Sequence, residues 1–421
     1  MEHKGRRRPH TPPLSLTPYL KRDRLPRLER RAMAQNVTVY FATNRMPLTD
    51  GGGQTIVDFG SEPGPIDGTA VRFGSAQASV TATRSSFIAG SLYVAPEQLI
   101  GPSIQRGSRD IFEKLRQDMQ DGGRPTLVVI HGFSNTFQDA IERAAGILNF
   151  YGIDANVFSF TWPSIGTPLP TPLPYTDYFH DRGTARGSGV AIARTMRILY
   201  DFIDNLPRRA VCRQPLHLVC HSMGNYAFRY AVQALMQVPQ GEPREYVRTA
   251  DLPAPDAEER PVPALVALPT EAPDPNRLRR TFEQIVLAAA DEDEDAFEDV
   301  KELRYLPRLG NRVTVYHTGK DWILSTLSSV TKFNGPRLGV NGPENMAIIS
   351  DKVTAVDVSD AIDPSQDFES HNYYRIFPAV RDDIVAVLSG ERQDKIANRD
   401  RNDMQRYSLR APARTTRRKG R

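Results

Sequence analysis

Apolar positions are sparse before Thr126 and dense after it. In the sparse part, Val37–Ala42 reads as a strand, and shorter strand signals follow at Ala70–Phe73 and Ala78–Ala82 among Gly- and Pro-rich loops. From Thr126 the pattern becomes strand, then helix, repeated. TLVVI (Thr126–Ile130) is a continuous apolar run, as expected of a strand buried on both faces. Phe137, Ala140, Ile141, Ala144 and Leu148 then recur at helical spacing, and Asn135 with Gln138 are spaced as a capping pair before them. Val157–Trp162 is a strand followed by a helix with the stripe Ile192, Met196, Leu199 and Ile203. Leu216–Cys220 is a strand followed by a helix with Ala227, Tyr230, Ala231, Ala234 and Leu235 inward. Strands at Ile285–Ala289, Val313–His317 and Thr354–Val358, and a helix over Tyr373–Leu388, complete the set.

This alternation predicts an α/β fold, a mostly parallel doubly wound sheet with helices on both faces. No internal repeat is visible. Two segments break the rhythm. One starts with Pro163–Pro174 and runs on to residue 180; the other is Val238–Arg280, with nine prolines. Both are expected to be insertions over the C-terminal edge of the sheet, where open α/β folds bind ligands. The expected organisation is one domain over 34–390, with basic disordered tails at 1–33 and 391–421. A start at Met33 would give the same strands without the first tail.

Composition adjusts this picture in three places. A hydrophobic share of 39% with 33 prolines implies a globular core diluted by polar tails and loops. The net charge of +4 is uneven, with 10 Lys/Arg against 3 Asp/Glu over Met1–Ala32 and 11 against 4 over Glu391–Arg421. The basic character therefore belongs to the tails, which could contact anionic surfaces; no specific nucleic-acid partner is expected. No apolar run reaches the roughly 18 residues needed to span a bilayer, and none follows the basic N-terminus as in a signal sequence. Cys212 and Cys220 lie on one extended segment, roughly 26 Å apart. They should stay reduced, because a disulfide needs Cα atoms within about 7 Å, and a cytoplasmic setting is expected.

The strongest chemical signal is HLVCHSMGN, His217–Asn225. A strand runs into Ser222 and straight out into a helix, which demands a sharp turn with small residues two before and two after the serine. Those positions are Cys220, in place of the usual glycine, and Gly224. Such a turn lifts the hydroxyl above the sheet at a helix N-terminus, where a developing oxyanion is favoured. His221 should point away from the site as a structural residue. HGF at His131–Phe133 follows the earlier buried strand, and the main-chain N–H groups of Phe133 and Met223 are the expected oxyanion donors.

An acid and a histidine should follow the serine in chain order. Asp321, in HTGKDW just past a strand, is favoured as the acid; Asp291, heading the run DEDED, is the alternative. A metal-binding reading of that run is poor, because it lacks the loop spacing of a calcium site. Elimination by chain position leaves His371, in FESHNYY, as general base toward Ser222 and then general acid to the leaving group. The expected reaction is acyl transfer to water through an acyl-enzyme on Ser222, with a small-molecule acyl substrate and neither cofactor nor metal.

HGFSNTFQDAIERAA, FSFTWPS, HLVCHSMGN, LAAADED, VYHTGKD and SHNYY, with VYFATNR and VRFGSAQASV upstream, together resemble a bacterial α/β-hydrolase family catalogued as a domain of unknown function. The resemblance covers most of Val37–Leu388. It implies the α/β-hydrolase fold and a triad of Ser222, Asp321 and His371, and it supplies no substrate. An esterase- or lipase-like serine hydrolase is expected. A catalytically silent hydrolase-fold scaffold and an acyltransferase with the same triad are the alternatives.

Overall fold

The computed structural model describes residues 34–411 apart from 54, 66–70, 97, 101–102, 106, 167–174, 238–272 and 331–334. The chain enters through β1 (Gln35–Thr43), continues into a hairpin of β2 (Arg45–Thr49) and β3 (Ile56–Pro63), and returns in β4 (Arg72–Val80), antiparallel to β1 along its length. Short strands β5 (Ser85–Phe87) and β6 (Tyr93–Val94) edge β4, and a hairpin of β7 (Gln98–Ile100) and β8 (Ser103–Gln105) leads to helix α1 (Gly107–Gly122). The alternating part follows: β9 (Thr126–Ile130), α2 (Phe137–Tyr151), β10 (Asn156–Thr161), α3 (Tyr175–Asp204), β11 (Leu216–His221), α4 (Met223–Leu235), β12 (Phe282–Ala288) and β13 (Gly310–His317). Helices α5 (Trp322–Val330) and α6 (Leu338–Asn341), strand β14 (Val353–Asp357), helix α7 (Pro378–Leu388) and strands β15 (Arg399–Asp403) and β16 (Arg406–Leu409) complete it.

The main sheet runs β15-β16-β14-β13-β12-β11-β9-β10-β1-β4-β5, and β1, β9 to β14 and β16 are parallel. After β10 the chain crosses back over β9 through α3 to reach β11, so strand order reverses there. In open α/β sheets such a switch point opens a crevice at the C-terminal strand ends. Side chains on alternate positions of β9 enter opposite layers. Leu127 and Val129 join the core with Ile141 of α2 and Ile384 of α7, while Ile130 joins Ile111 of α1, Ile192 of α3 and Ala227 of α4. This is the two-faced burial that the continuous apolar run implied.

Several boundaries differ from the sequence expectation. Arg72–Phe73 of the first short signal and Ala78–Val80 of the second belong to one strand, β4, while Ala70 lies outside the described residues. Helix α2 is capped by Thr136, not Asn135. Thr136 Oγ1 accepts from Asp139 N at 3.0 Å while Asp139 Oδ2 accepts from Thr136 N at 2.9 Å, one residue later than the expected pair. The last helix divides into a turn at Tyr373–Arg375 and α7, because Pro378 sits at the first helical position and disfavours helical backbone in the residue before it.

The expected disordered tail from 391 is corrected over 391–411. Those residues add β15 and β16 to the sheet edge, with Ile396, Tyr407 and Leu409 buried. Charge counting treated the segment as solvated, whereas Arg399 Nε donates to Asp383 Oδ2 at 2.7 Å and Arg410 pairs with Asp400 at 2.7 Å. Residues 175–180, expected within the first insertion, form the opening of α3. Residues 167–174, 238–272, 1–33 and 412–421 lie outside the described residues. No described helix is long and apolar enough to cross a membrane.

Candidate active site

Strand β11 delivers Ser222 directly to the N-terminus of α4. Its backbone sits at φ 52° and ψ −126°, a region that costs a residue with a Cβ about 1–3 kcal/mol and that must be held by its surroundings. Ser222 N donates to Ala288 O at 3.0 Å, and its carbonyl accepts from Asn225 N at 3.0 Å and Asp291 N at 3.3 Å. The turn is also packed too closely for side chains. A Cβ on Gly224 would lie 2.5 Å from His131 O and 2.6 Å from Ile130 O, and one on Gly132 would lie 2.8 Å from Ser222 Cβ. Gly224→Ala should therefore force β9 and α4 apart and cost about 1–3 kcal/mol in urea unfolding. An unchanged midpoint would show that this approach is not needed. Cys220, at the other small position, is fully buried in the core, which pushes its thiol well up.

The loop after β9 is held by polar groups that lie far apart in the chain and share no sequence motif. Arg45 is 2% exposed and donates to Asn135 O at 2.7 Å, Gly60 O at 3.0 Å and Ser164 O at 3.2 Å. Asn135 Nδ2 in turn donates to Gly132 O at 2.9 Å and Phe133 O at 2.7 Å. Asp181 of α3 accepts from Ser164 Oγ, from Ile165 N at 3.1 Å and from Ser134 N, whose residue is held at φ 57°. Burial pulls the Arg45 guanidinium down to about 9, against the attraction of Asp181. The one sequence trace of this frame is the R that ends VYFATNR. His131 stacks on Trp162 at 5.1 Å and its Nε2 accepts from Trp162 N at 3.2 Å, so Nδ1 carries the proton donated to Gly132 O at 2.9 Å. Both carbonyls of the loop are thus taken up by hydrogen bonds, whereas no described hydrogen bond uses the N–H of Phe133. Met223 N–H begins α4 and has no acceptor within its own helix.

Asp321 follows β13 and starts α5, with its Oδ1 accepting from Leu324 N at 2.9 Å. Trp322 N donates to Glu369 O at 3.0 Å, which draws the loop carrying His371 alongside. His371 Nδ1 then donates to Asp321 Oδ2 at 2.7 Å, with the carboxylate fully buried. Burial pulls the imidazole down, but the Asp321 charge and hydrogen bond, helped by Glu369 and Asp291, raise it overall. His221 ties this loop to the serine turn. Its Nε2 donates to His371 O at 3.2 Å, its ring lies 4.8 Å from that of His371, and it stacks on Tyr374 at 4.5 Å. The expectation that His221 points away is corrected to this extent: it braces the histidine loop. Among the described residues no hydrogen bond uses Ser222 Oγ or His371 Nε2, and both residues are buried.

Asp291 lies elsewhere in the same neighbourhood. Its Oδ2 accepts from Tyr178 OH at 2.9 Å, and Arg337 Nε and Arg182 Nη1 stand 3.5 and 3.8 Å from its Oδ1. It faces arginines, and it is Asp321 that meets the histidine. Tyr178 also packs edge-on to Phe133 at 6.0 Å, linking this charged group to the HGF loop. Farther along the acidic run, Asp293, Asp295 and Glu302 bring one carboxylate oxygen each within 4.8 Å of one another. Arg337 already pairs with Asp293 at 3.0 Å and Arg229 with Glu302 at 2.8 Å, so much of that charge is answered by guanidinium groups.

No curated protein and no solved structure matches the chain. A family model described as an alpha/beta hydrolase of unknown function, DUF900, matches residues 108–392, which takes in the serine turn, both candidate acids and His371. The parallel sheet, the strained turn after β11 and that match together make the chain a member of this alpha/beta hydrolase family.

Proposed function

We propose that the protein is a serine hydrolase that cleaves a carboxylic ester or related acyl bond through an acyl-enzyme on Ser222. One observation carries the reading: a buried Asp321–His371 pair at 2.7 Å, braced through His221 against a strained serine turn. In the first half-reaction His371 Nε2 takes the Ser222 proton as Oγ attacks the acyl carbonyl. The Phe133 and Met223 N–H groups donate to the negative oxygen, and His371 gives the proton to the leaving alcohol as the carbon–oxygen bond breaks. Water repeats the sequence on the acyl-enzyme and releases the acid. Asp321 fixes the tautomer with Nε2 unprotonated and stabilises the imidazolium. The free thiols Cys212 and Cys220 fit the reducing cytoplasmic setting proposed from the sequence.

A fluorophosphonate probe together with short-chain p-nitrophenyl esters tests the proposal. Labelling and turnover that both vanish in Ser222→Ala would support it. A folded wild-type protein that neither labels nor turns over would favour a silent scaffold.

The pH dependence follows from the sign of the His371 shift. The base must be neutral, and its folded value lies above the ordinary 6.5, so kcat/KM should rise with pH and reach half its plateau above 6.5. A flat profile between pH 5 and 8 would remove His371 as the base, and an inflection below 6.5 would show that burial outweighs the Asp321 charge.

A further inference from the structure

At the end of the sheet opposite Ser222, a cavity of about 1130 Å³ opens between the N-terminal strand edge and helices α1 and α3. Ser222 follows the last residue of β11, whereas the cavity is lined by that strand's first two residues, Leu216 and His217, about 17 Å away along the strand. Its wall is apolar. Phe112 of α1 stacks on Phe158 of β10 at 6.3 Å and meets Phe202 of α3 at 5.7 Å, with Leu115, Met196 and Leu199 beside them. Small-molecule sites are concave, mostly apolar clefts of roughly 300–1,000 Å³.

Positive charge predominates at the rim. Among the described lining residues, five arginines stand against two glutamates. Arg116 is held by Glu113 at 2.9 Å, Arg312 by Gln284 at 3.2 Å and Glu391 O at 2.7 Å, and Arg392 by Asp394 at 3.0 Å. Arg280 has one described bond, to Asn311 Oδ1 at 3.3 Å, and no described bond or ion pair engages Arg213. These two stand ahead of neighbouring strands on the cavity rim. β11 and β12 pair in parallel with His217 opposite Gln284, and Arg213 and Arg280 each lie four residues upstream of that pair. Both are exposed, so two cations without a carboxylate partner stand at the mouth of an apolar chamber.

We propose that this cavity binds a free long-chain carboxylate. Its hydrocarbon tail would lie between α1, α3 and the sheet, and its carboxylate would meet Arg213 and Arg280. The site is separate from Ser222 and does not depend on the chemistry proposed there. Guanidinium pairs suit a carboxylate because planar donors meet planar acceptors.

Isothermal titration of the full chain with dodecanoate and with dodecan-1-ol tests the proposal, together with photocrosslinking by a diazirine-bearing carboxylate. The acid should bind one to one and more tightly than the alcohol. Crosslinks should map to Gly107–Gly122 and Tyr175–Asp204. Arg213→Glu/Arg280→Glu, confined to exposed residues, should weaken the acid about tenfold or more without changing the melting temperature. Leu199→Trp should block the tail. No binding, equal affinity for acid and alcohol, or crosslinks confined to peptides around Ser222 would each overturn it. So would flotation with phosphatidylglycerol vesicles by a chain that ignores monomeric dodecanoate.

Discussion

Ser222→Ala is expected to lower kcat on a p-nitrophenyl ester by about 10⁶, by analogy with measured serine triads, and to abolish fluorophosphonate labelling. Alanine keeps the Cβ and therefore the backbone strain at φ 52°, so the loss reports the hydroxyl and not a rearranged turn. Ser222→Gly separates the two effects. Glycine occupies this backbone region without penalty, so the variant should be inactive yet more stable, by about 1 kcal/mol in urea unfolding. If Ser222→Ala retained wild-type turnover, the nucleophile would have to be another residue. If Ser222→Gly were less stable, the turn would not be strained in the way its dihedral angles imply.

Asp321→Asn is expected to lower kcat by about 10⁴, the scale seen when the acid of another serine triad is made neutral, with KM little changed. An amide at this position can offer an N–H to His371 Nδ1, which turns the imidazole to the tautomer with Nε2 protonated and unable to act as base. Removing the carboxylate also removes the largest influence raising His371, so the residual activity should reach its plateau at lower pH. Asp291→Asn serves as the comparison. Its side chain faces Tyr178, Arg182 and Arg337, so the effect should fall on stability and remain far smaller in kcat. A larger loss in Asp291→Asn than in Asp321→Asn would reverse the assignment.

Much of the core was readable because it is local. TLVVI announces a buried strand by its continuous apolar run and LHLVC by a largely apolar run ahead of the serine turn, and both stand at the centre of the parallel sheet. The serine turn was readable for a related reason: a strand, a serine and a glycine two residues on can meet the steric demand in one way. Counted charge misled at the C-terminus. Arg399 is nearly inaccessible because Asp383, sixteen residues earlier, is there to receive it. Composition carries no information about whether a charge finds its partner.

The same limit separates what the chain's own pattern determined from what needed the folded molecule. Spacing of apolar side chains sets strands, helices and their buried faces, since each depends on neighbours within a few residues. Chain order narrowed the acid to Asp291 or Asp321, and the solvated character of the DEDED run favoured Asp321 without showing its partner. The pairing of His371 with Asp321 arises where two loops are drawn together by the Trp322–Glu369 hydrogen bond, and the HGF loop is held by Arg45 and Asp181 from distant strands and helices. Those are contacts between segments far apart in the chain. Closing such loops is governed by the packing of the whole sheet, and no short stretch of sequence records it.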